Sequence, residues 1–407
     1  MKRLALALAS LLLTCACAAG EEPSLTNEKS VFTGNPPLWK RPNQFCLWSA
    51  RLSPDGQRVL YPRLQGEPPV TDGRPDWGRV MSEAVLRDLD KGQETLLPIG
   101  PMDQGWQTVH TRFNPFDPAG KKMALVDVKK QETKVDNGAT AVSTTMKLVL
   151  YDVTAGKTLP GSIAGGMMLA RFNRAGDGLI GFRGSKDGYE LFTASLPGLE
   201  ANALPVKGMV QSVCPTADVI CVWSPPARVP PAVAGERPTK GPQRLFLYDL
   251  KARKEIADLP IDQRNSKLDD YETQWTPDGR FLYYTDVEDD PGAAGGNARG
   301  KTRGVSRVWD RQAGKSVTNI PMTLPVGPGP TPSSMVLARY SEKGEEAGCL
   351  LHDAATGTIS GLGDASLKLV HAWGAKVLYV RTAGDKKEAL YVADIVNVRP
   401  TTRPAAK

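Results

Sequence analysis

The sequence of 407 residues lacks most features that mark membrane proteins, nucleic-acid-binding proteins or common enzyme classes. Its one marked apolar run, Leu4–Leu13, is too short to cross a bilayer as a helix. Lys and Arg are spread without the clusters that a nucleic-acid surface needs, although the net charge is +7. The 3 histidines and 6 cysteines show no metal-binding spacing, and no phosphate-binding loop, dinucleotide fingerprint or Gly-x-Ser-x-Gly elbow occurs. We therefore expect no nucleic-acid partner and no cofactor.

The N-terminus has the pattern of a secretory signal peptide. A short basic start precedes the apolar run, and small residues at Ala18-Ala19-Gly20 favour cleavage before an abrupt polar switch. We therefore expect residues 1–20 to be removed and the protein to be periplasmic or secreted. The alternative is lipoprotein processing at Cys15 or Cys17, although neither cysteine has a good lipobox before it. A lipid anchor would then be the protein's only contact with a membrane.

Export also makes a disulfide possible. Cys214 and Cys221 flank Pro215-Thr216-Ala217-Asp218, a sequence typical of a hairpin turn, so a bridge between paired strands is one interpretation. The alternative is a pair of small, buried, free thiols.

A turn motif recurs along the chain between apolar strands. Its clearest copies are Ser53-Pro54-Asp55-Gly56 and Thr276-Pro277-Asp278-Gly279, and five weaker copies bring the total to seven. Pro presets φ, Asp bonds to the backbone and Gly accepts a positive φ, which together make a tight turn. The repeated aspartates are therefore explained by turn geometry and need no catalytic role.

A second motif alternates with the first, namely an aliphatic strand that ends in aspartate, as in Leu245–Asp249. The turn position of the first motif moves from 56 to 374, which is 318 residues over six intervals, or 53 per repeat. Short alternating strands in repeats of about this length are typical of a β-propeller. We therefore predict an all-β, seven-bladed propeller of four-stranded antiparallel blades.

The two ends of the chain are predicted to close the ring. The last repeat supplies three strands and no fourth, whereas Ser30-Val31-Phe32-Thr33 has no partner of its own. We predict that this segment forms the outer strand of blade seven. The predicted regions are the signal peptide 1–20, the linker and closing strand 21–44, the propeller 45–396 and a disordered basic tail 397–407.

The repeat resembles a known family. Ser-Pro-Asp-Gly followed by an aromatic strand, and later by Tyr248-Asp249-Leu250, looks like the WD-repeat-like unit of TolB-type periplasmic proteins and of prolyl oligopeptidase propellers. The resemblance implies a propeller over most of residues 45–395. It does not imply one activity, because such propellers serve as scaffolds, gates and enzymes. The α/β domain of TolB and the hydrolase domain of the oligopeptidases have no counterpart here.

Long insertions fall at one topological position, between the second and third strands of four blades. Such loops collect on one face of the ring, and we expect that face to bind a partner. The loops span about 67–81, 129–145, 224–243 and 285–304, in blades 1, 2, 4 and 5. The candidate binding residues in them are an aromatic–cation pair, Trp77 and Arg79, and the acidic Asp286, Asp289 and Asp290. The acidic group does not match a calcium loop, so a metal is not expected.

These observations favour a non-enzymatic binding scaffold in the cell envelope, monomeric, with a protein or glycan as its partner. The alternative is a propeller enzyme, a polysaccharide lyase or hydrolase, with carboxylates converging at the mouth of the axial channel. His110 and His371 fall in the predicted innermost strands of blades two and seven, where either side chain can face that channel. We expect these histidines to be structural.

Overall fold

The computed structural model describes residues 22–33, 50–65, 70–71, 74–75, 82–100, 114–134, 140–163, 167–185, 188–226, 228–229, 239–265, 273–290, 302–341, 346–363, 367–382 and 388–398. These residues form 31 β-strands and no α-helix, so they contain no helix able to span a membrane.

The strands follow one another along the described residues without an intervening α-helix. They are β1 (Ser24–Thr33), β2 (Arg51–Leu52), β3 (Arg58–Leu64), β4 (Val70–Thr71), β5 (Arg74–Pro75), β6 (Ser82–Asp88), β7 (Glu94–Leu96), β8 (Lys122–Lys134), β9 (Thr140–Asp152), β10 (Lys157–Ile163), β11 (Met167–Phe172), β12 (Gly178–Ser185), β13 (Gly188–Ser195), β14 (Ala201–Lys207), β15 (Met209–Val213), β16 (Val219–Ser224), β17 (Arg228–Val229), β18 (Thr239–Lys240), β19 (Arg244–Asp249), β20 (Lys254–Leu259), β21 (Gln274–Trp275), β22 (Phe281–Asp289), β23 (Thr302–Asp310), β24 (Lys315–Pro321), β25 (Thr323–Pro328), β26 (Ser334–Tyr340), β27 (Glu346–Asp353), β28 (Thr358–Leu362), β29 (Lys368–Trp373), β30 (Lys376–Thr382) and β31 (Glu388–Val396).

Seven antiparallel sheets form the blades of a β-propeller, as the repeat predicts. From blade 1 to blade 7, the sheets are β2-β3-β6-β7, β8-β9-β10, β11-β12-β13-β14, β15-β16-β19-β20, β21-β22-β23-β24, β25-β26-β27-β28 and β29-β30-β31-β1. In blade 2 the innermost position is marked by a single bridge between Phe116 and Met123. The small hairpins β4-β5 and β17-β18 lie in the insertions of blades 1 and 4.

The recurrent turn motif joins the first and second strands of each blade. In blade 1 the Asp55 carboxylate accepts the Gln57 N–H at 3.0 Å, and the Ser53 hydroxyl accepts the Arg58 N–H at 2.9 Å. Gly56 has a φ of +66°, a conformation that favours glycine. Thr276, Asp278 and Gly279 repeat the pattern in blade 5. The predicted structural role of these aspartates is confirmed.

The aspartates that end the third strands have a similar role. Each accepts backbone N–H groups from the next turn, as Asp310 does from Gln312 at 2.9 Å and from Ala313 at 3.1 Å. The same arrangement occurs at Asp88, Asp152, Asp249 and Asp353. Both halves of the repeat are therefore hydrogen-bonded turns.

The core lies between neighbouring blades rather than on one side of each sheet. Val219–Trp223 in β16 and Phe281–Asp286 in β22 are buried at every position, so period-two alternation disappears there. Blades also meet through polar contacts, because the Tyr283 hydroxyl in blade 5 bonds Nδ1 of His352 in blade 6 at 2.6 Å. Burial lowers the pKa of His352 to about 4, so it serves as a neutral structural residue.

The ring is closed by the N-terminal strand. β1 pairs with β31 in antiparallel register from Ser24↔Val396 to Thr33↔Ala389. The Val31 side chain is 1% exposed, and Glu28 accepts a bond from the Tyr379 hydroxyl. The predicted closure is confirmed, and the strand begins at Ser24 rather than at Ser30.

Candidate functional site

An axial cavity of about 440 Å³ is the candidate site. Its lining comes from the innermost strands, and the turns that follow them, of all seven blades, so it lies on the propeller axis. The cavity is lined by turns that join the first and second strands of the blades, whereas the long insertions join the second and third strands. Successive loops of an antiparallel blade alternate between its two ends, so the cavity lies toward the end of the propeller opposite the long insertions. Lining residues include Pro54, Phe116, Arg171, Val213, Trp275, Pro328, His371 and Trp373.

Polar side chains recur at one level of the innermost strands. Arg171, Ser212 and Gln274 each precede the turn position of their blade (176, 217 and 279) by five residues, and all three line the cavity. Arg51 has the same offset from Gly56 in blade 1 and is 9% exposed. Polar residues at a fixed offset in otherwise apolar strands are a sequence signal that points to the axis.

His371 lines the cavity and is 3% exposed. Its Nδ1 accepts the backbone N–H of Leu52 at 3.2 Å. Burial, and then the charge of Arg51, hold the pKa of His371 well below its ordinary value, so the ring is neutral. Because Nδ1 is the acceptor, the ring proton is on Nε2. The sequence expectation that His371 can face the channel is met, and His110 lies outside the described residues.

Several polar lining groups are satisfied by the protein itself. The hydroxyls of Ser212 and Thr273 bond each other at 2.5 Å, and the Asn114 amide donates to the Leu52 carbonyl at 3.0 Å. The Arg171 Nη2 donates to the Gln211 carbonyl. These bonds join blade 1 to blade 2 and link blades 3, 4 and 5 to one another, so they hold the wall of the cavity in one arrangement.

Aromatic rings form much of the remaining wall. Trp373 stacks on His371 with ring centroids 6.3 Å apart. Trp275 is 5% exposed, and its indole Nε1–H has no hydrogen-bond partner in the part of the chain that the structure describes. A buried donor without an acceptor is uncommon in native proteins.

The described lining residues include no Asp or Glu. Within the described ranges there is also no group of three or more His, Cys, Asp or Glu side chains placed to hold a metal ion. Among the described residues, the wall therefore combines two arginines, Arg171 and Arg174, a neutral imidazole, several uncharged polar side chains and aromatic rings.

The binding candidates from the insertions lie elsewhere. Trp77 and Arg79 are outside the described residues. Asp286 and Asp289 belong to β22, and Asp290 follows directly. The acidic segment predicted as a loop is therefore largely the end of a strand.

Asp286 is fully buried. Its carboxylate accepts bonds from Nε of Arg307 at 2.5 Å and from the backbone N–H of Asp262 at 3.0 Å. Burial raises the pKa of Asp286, and these donors oppose the shift. Asp289 is exposed and pairs with Arg264 at 2.7 Å. Asp286 thus serves as an internal link between blades 4 and 5.

Cys214 and Cys221 are buried free thiols, the second of the two alternatives from the sequence. The strand register pairs Cys221 with Ser212, while Cys214 precedes the turn and its Sγ contacts the Gly279 carbonyl at 3.5 Å. Burial raises the pKa of Cys221 to about 12. Both side chains pack as small apolar groups in the structure.

No protein-family model matches the chain, and no curated protein does. Solved structures are similar to it in fold. An oligogalacturonate lyase in complex with manganese shares 12% identity, covering 93% of this chain and 98% of that chain, with a TM-score of 0.50. The β-propeller domain of the Trilobed protease from Pyrococcus furiosus shares 11% identity over 92% and 96%, with a TM-score of 0.47. TolB from Acinetobacter baumannii shares 11% over 83% and 80%, with a TM-score of 0.36.

At these identities the likeness shows the fold alone. The resemblance predicted from the repeat is confirmed as a likeness of β-propeller fold.

Proposed function

We propose that this protein is an exported, non-enzymatic binding protein of the cell envelope that holds a small ligand in its axial cavity. One observation carries the proposal: all seven blades enclose a cavity whose described lining is aromatic, donor-bearing and free of carboxylates. Its volume of about 440 Å³ is within the range typical of small-molecule sites.

The same lining argues against the alternative, an axial lyase or hydrolase. Glycoside hydrolysis commonly uses a pair of carboxyl groups that flank the scissile bond. General acid–base catalysis needs a group that titrates near the working pH, and the pKa of His371 is far below neutrality. The described side chains are therefore better suited to recognition than to turnover.

The second part of the proposal is a partner-binding surface on the face of the ring that carries the long insertions, opposite the end where the axial cavity lies. There β8 and β9 stay paired as far as Lys134↔Thr140, whereas β10 pairs with β9 only as far as Leu148, so a two-stranded arm extends beyond the blade. A paired two-stranded arm, on the face where the long insertions of blades 1, 4 and 5 are also predicted, suits contact with a protein or glycan of the envelope. Replacing Trp77 and Arg79 by Ala should weaken that contact without changing the melting temperature. Full partner binding by this double variant would exclude the loop of blade 1.

The axial part of the proposal is tested with a matched pair of substitutions. Val213 lines the cavity, whereas Val317 is 47% exposed on the outer strand of blade 5. We expect Val213→Trp to fill the cavity and Val317→Trp to leave it open. The purified proteins are incubated with a small-molecule extract of the envelope, and the retained compounds are identified by mass spectrometry.

Retention by the wild type and by Val317→Trp, with loss in a folded Val213→Trp protein, is the expected result. Equal retention by all three proteins would exclude the cavity as the site. Recovery of the compound in a chemically converted form would favour the enzyme instead.

A further inference from the structure

The two-stranded arm formed by β8 and β9 has one backbone edge without a neighbouring strand. The two strands pair over 13 positions, as far as Lys134↔Thr140. β10 covers the outer side of β9 only as far as Leu148. Within the described part of the chain, the outer edge of β9 from Thr140 to Lys147 therefore has no strand beside it. Every second N–H and C=O group of an antiparallel strand points to such an edge.

The outer edges of the seven blades are protected against pairing with a further strand. A long, regular outer edge can add a strand from another chain. The outer strands β1, β10, β14, β20 and β24 pair with their own blades through an irregular register, which bends or twists the edge. The remaining two outer strands, β7 and β28, have only 3 and 5 residues. The blade edges are therefore poor sites for strand addition.

The free edge of β9 has none of these protective features. Its pairing with β8 is regular over the whole length of the strand. Residues 140–146, Thr-Ala-Val-Ser-Thr-Thr-Met, include no charge and no proline, and four of them are β-branched. The β8 half of the arm differs, since residues 129–134 contain three lysines and one glutamate. Lysine on an edge strand is a common protection against pairing, so only the β9 edge is suited to accept a strand.

A second copy of this chain matches the β9 edge in charge and in geometry. An antiparallel strand can pair with its own copy about a two-fold axis, and residues 140–146 then bring no like charges together in any register. The arm extends past β10 by the eight pairs from Asp127↔Lys147 to Lys134↔Thr140, which is about 27 Å. Two arms that overlap over this length place the two rings at opposite ends of the shared sheet.

We propose that this protein forms a two-fold symmetric dimer, in place of the monomer expected from the sequence, by antiparallel pairing of residues 140–146 of two copies. The shared sheet has four strands, β8 and β9 from each copy. Pairing of one strand with another buries less than the roughly 1,200 Å² of a stable interface, so the dimer forms reversibly at high protein concentration. This inference goes beyond the proposed function, because it assigns the β9 edge to a second copy rather than to an envelope partner.

The test compares charges placed on the two strands of the arm. Ala141→Lys with Ser143→Lys adds two lysines to β9, and Thr133→Lys with Gln131→Lys adds two at the paired positions of β8. In the dimer the β9 strands of the two copies are adjacent, about 4.8 Å apart, so their added lysines repel. The two β8 strands are three spacings apart, about 14 Å, which exceeds the screening length of about 8 Å at physiological salt.

Sedimentation velocity over a concentration series of the mature protein measures the outcome. We expect the wild type and the β8 double variant to shift from one chain toward two as the concentration rises. The β9 double variant should keep the melting temperature of the wild type and sediment as one chain throughout. Amide hydrogen exchange of the wild type needs no variant, and we expect the largest slowing at high concentration in residues 140–146, where free N–H groups become bonded.

A wild type that sediments as one chain at every concentration would overturn the proposal and leave the β9 edge to a segment of another protein. A dimer that persists in the folded β9 double variant would also overturn it, because another surface would then join the copies. If that variant does not fold, slowed exchange confined to residues outside 140–146 would overturn the proposal instead. The retention experiment with Val213→Trp decides the function of the axial cavity separately.

Discussion

Two aspartates on one strand show how position decides the role of a residue. Asp286 and Asp289 are three residues apart in β22, so their side chains point to opposite faces of the strand. The Asp286 side chain is 0% exposed beside Arg307, while that of Asp289 is 83% exposed beside Arg264. A charge removed from water must keep its partner, whereas an exposed pair contributes little.

We therefore predict unequal costs for the same substitution. Asp286→Asn should lower the free energy of unfolding by about 3 kcal/mol, because it leaves the Arg307 charge uncompensated. Asp289→Asn should cost less than about 1 kcal/mol. Urea denaturation of both variants measures the difference, and equal costs would show that Asp286 is not a structural link.

Glu346 provides a pH-dependent prediction. It begins β27, its Oε1 is buried without a partner among the described residues, and burial raises its pKa from 4.5 to about 8. Between these values the folded state holds a proton that the unfolded state has lost, so stability falls as pH rises through the window. Gln cannot ionise and can still accept the Leu369 N–H.

We expect Glu346→Gln and the wild type to differ little at about pH 4.5, and the variant to become the more stable protein as pH approaches 8. The gain should grow by at most about 1.4 kcal/mol per pH unit. Denaturation curves at several pH values test this. A gain that does not depend on pH would assign the effect to packing rather than to ionisation.

At the scale of elements, the turn glycines meet two structural requirements, a positive φ within the turn and a close approach to the preceding blade. Gly279 has a φ of +64°, and a Cβ there would lie 2.2 Å from Oγ1 of Thr216 and 2.8 Å from Sγ of Cys214, in the preceding blade. Gly120 approaches Asp55 in the same way, with a nearest distance of 3.0 Å. The glycine therefore serves both the turn and the packing of one blade against the next.

Gly279→Ala and Gly314→Ala separate these requirements. Gly314 has a φ of +63°, but a Cβ there would meet nothing within 4 Å. Both variants should lose about 1 kcal/mol from backbone strain. Gly279→Ala should lose about 1–3 kcal/mol more from overpacking between the blades. Similar melting temperatures for the two variants would contradict the role of Gly279 in packing.

These turns were predictable because their chemistry is local. The Ser53 hydroxyl donates to Asp55, the Ser53 carbonyl accepts the Gly56 N–H, and the repetition of this turn along the chain is enough to indicate blades. Asp286 was predicted as a binding residue, although its main partner, Arg307, is on the neighbouring strand. A sequence pattern carries no direct sign of that pairing.

At the scale of the whole molecule, the axial cavity forms only where seven distant segments meet. Arg171, Trp275 and His371 come from three blades and share no local motif. The fixed offset of polar residues before the turns is a sequence signal for this cavity, whereas the length of the insertions favours the opposite face of the ring. The sequence allows His371 to face the channel because its strand is predicted to be an innermost one, and in the structure it lines the cavity.

The closure of the ring by β1 is also a property of the whole molecule, and a complementation experiment can test it. Removal of residues 22–33 takes away the outer strand of blade 7 and exposes the edge of β31, including Leu390 and Val392, now 0% and 2% exposed. We expect a marked fall in melting temperature and aggregation through that edge. A peptide spanning 22–33 should restore melting when added in trans, because it supplies the same backbone bonds.

Two variants of the peptide provide the controls for this experiment. Val31→Asp within it should prevent rescue, since that side chain is 1% exposed in the closed ring. Thr26→Lys, at an exposed position of the same strand opposite Asp394, should rescue largely as the unmodified peptide does. Unchanged melting of the truncated protein would show that blade 7 is stable with three strands. Rescue by the Val31→Asp peptide would show that the peptide acts by means other than strand pairing. The three peptides together therefore test whether the burial of this one face holds the ring closed.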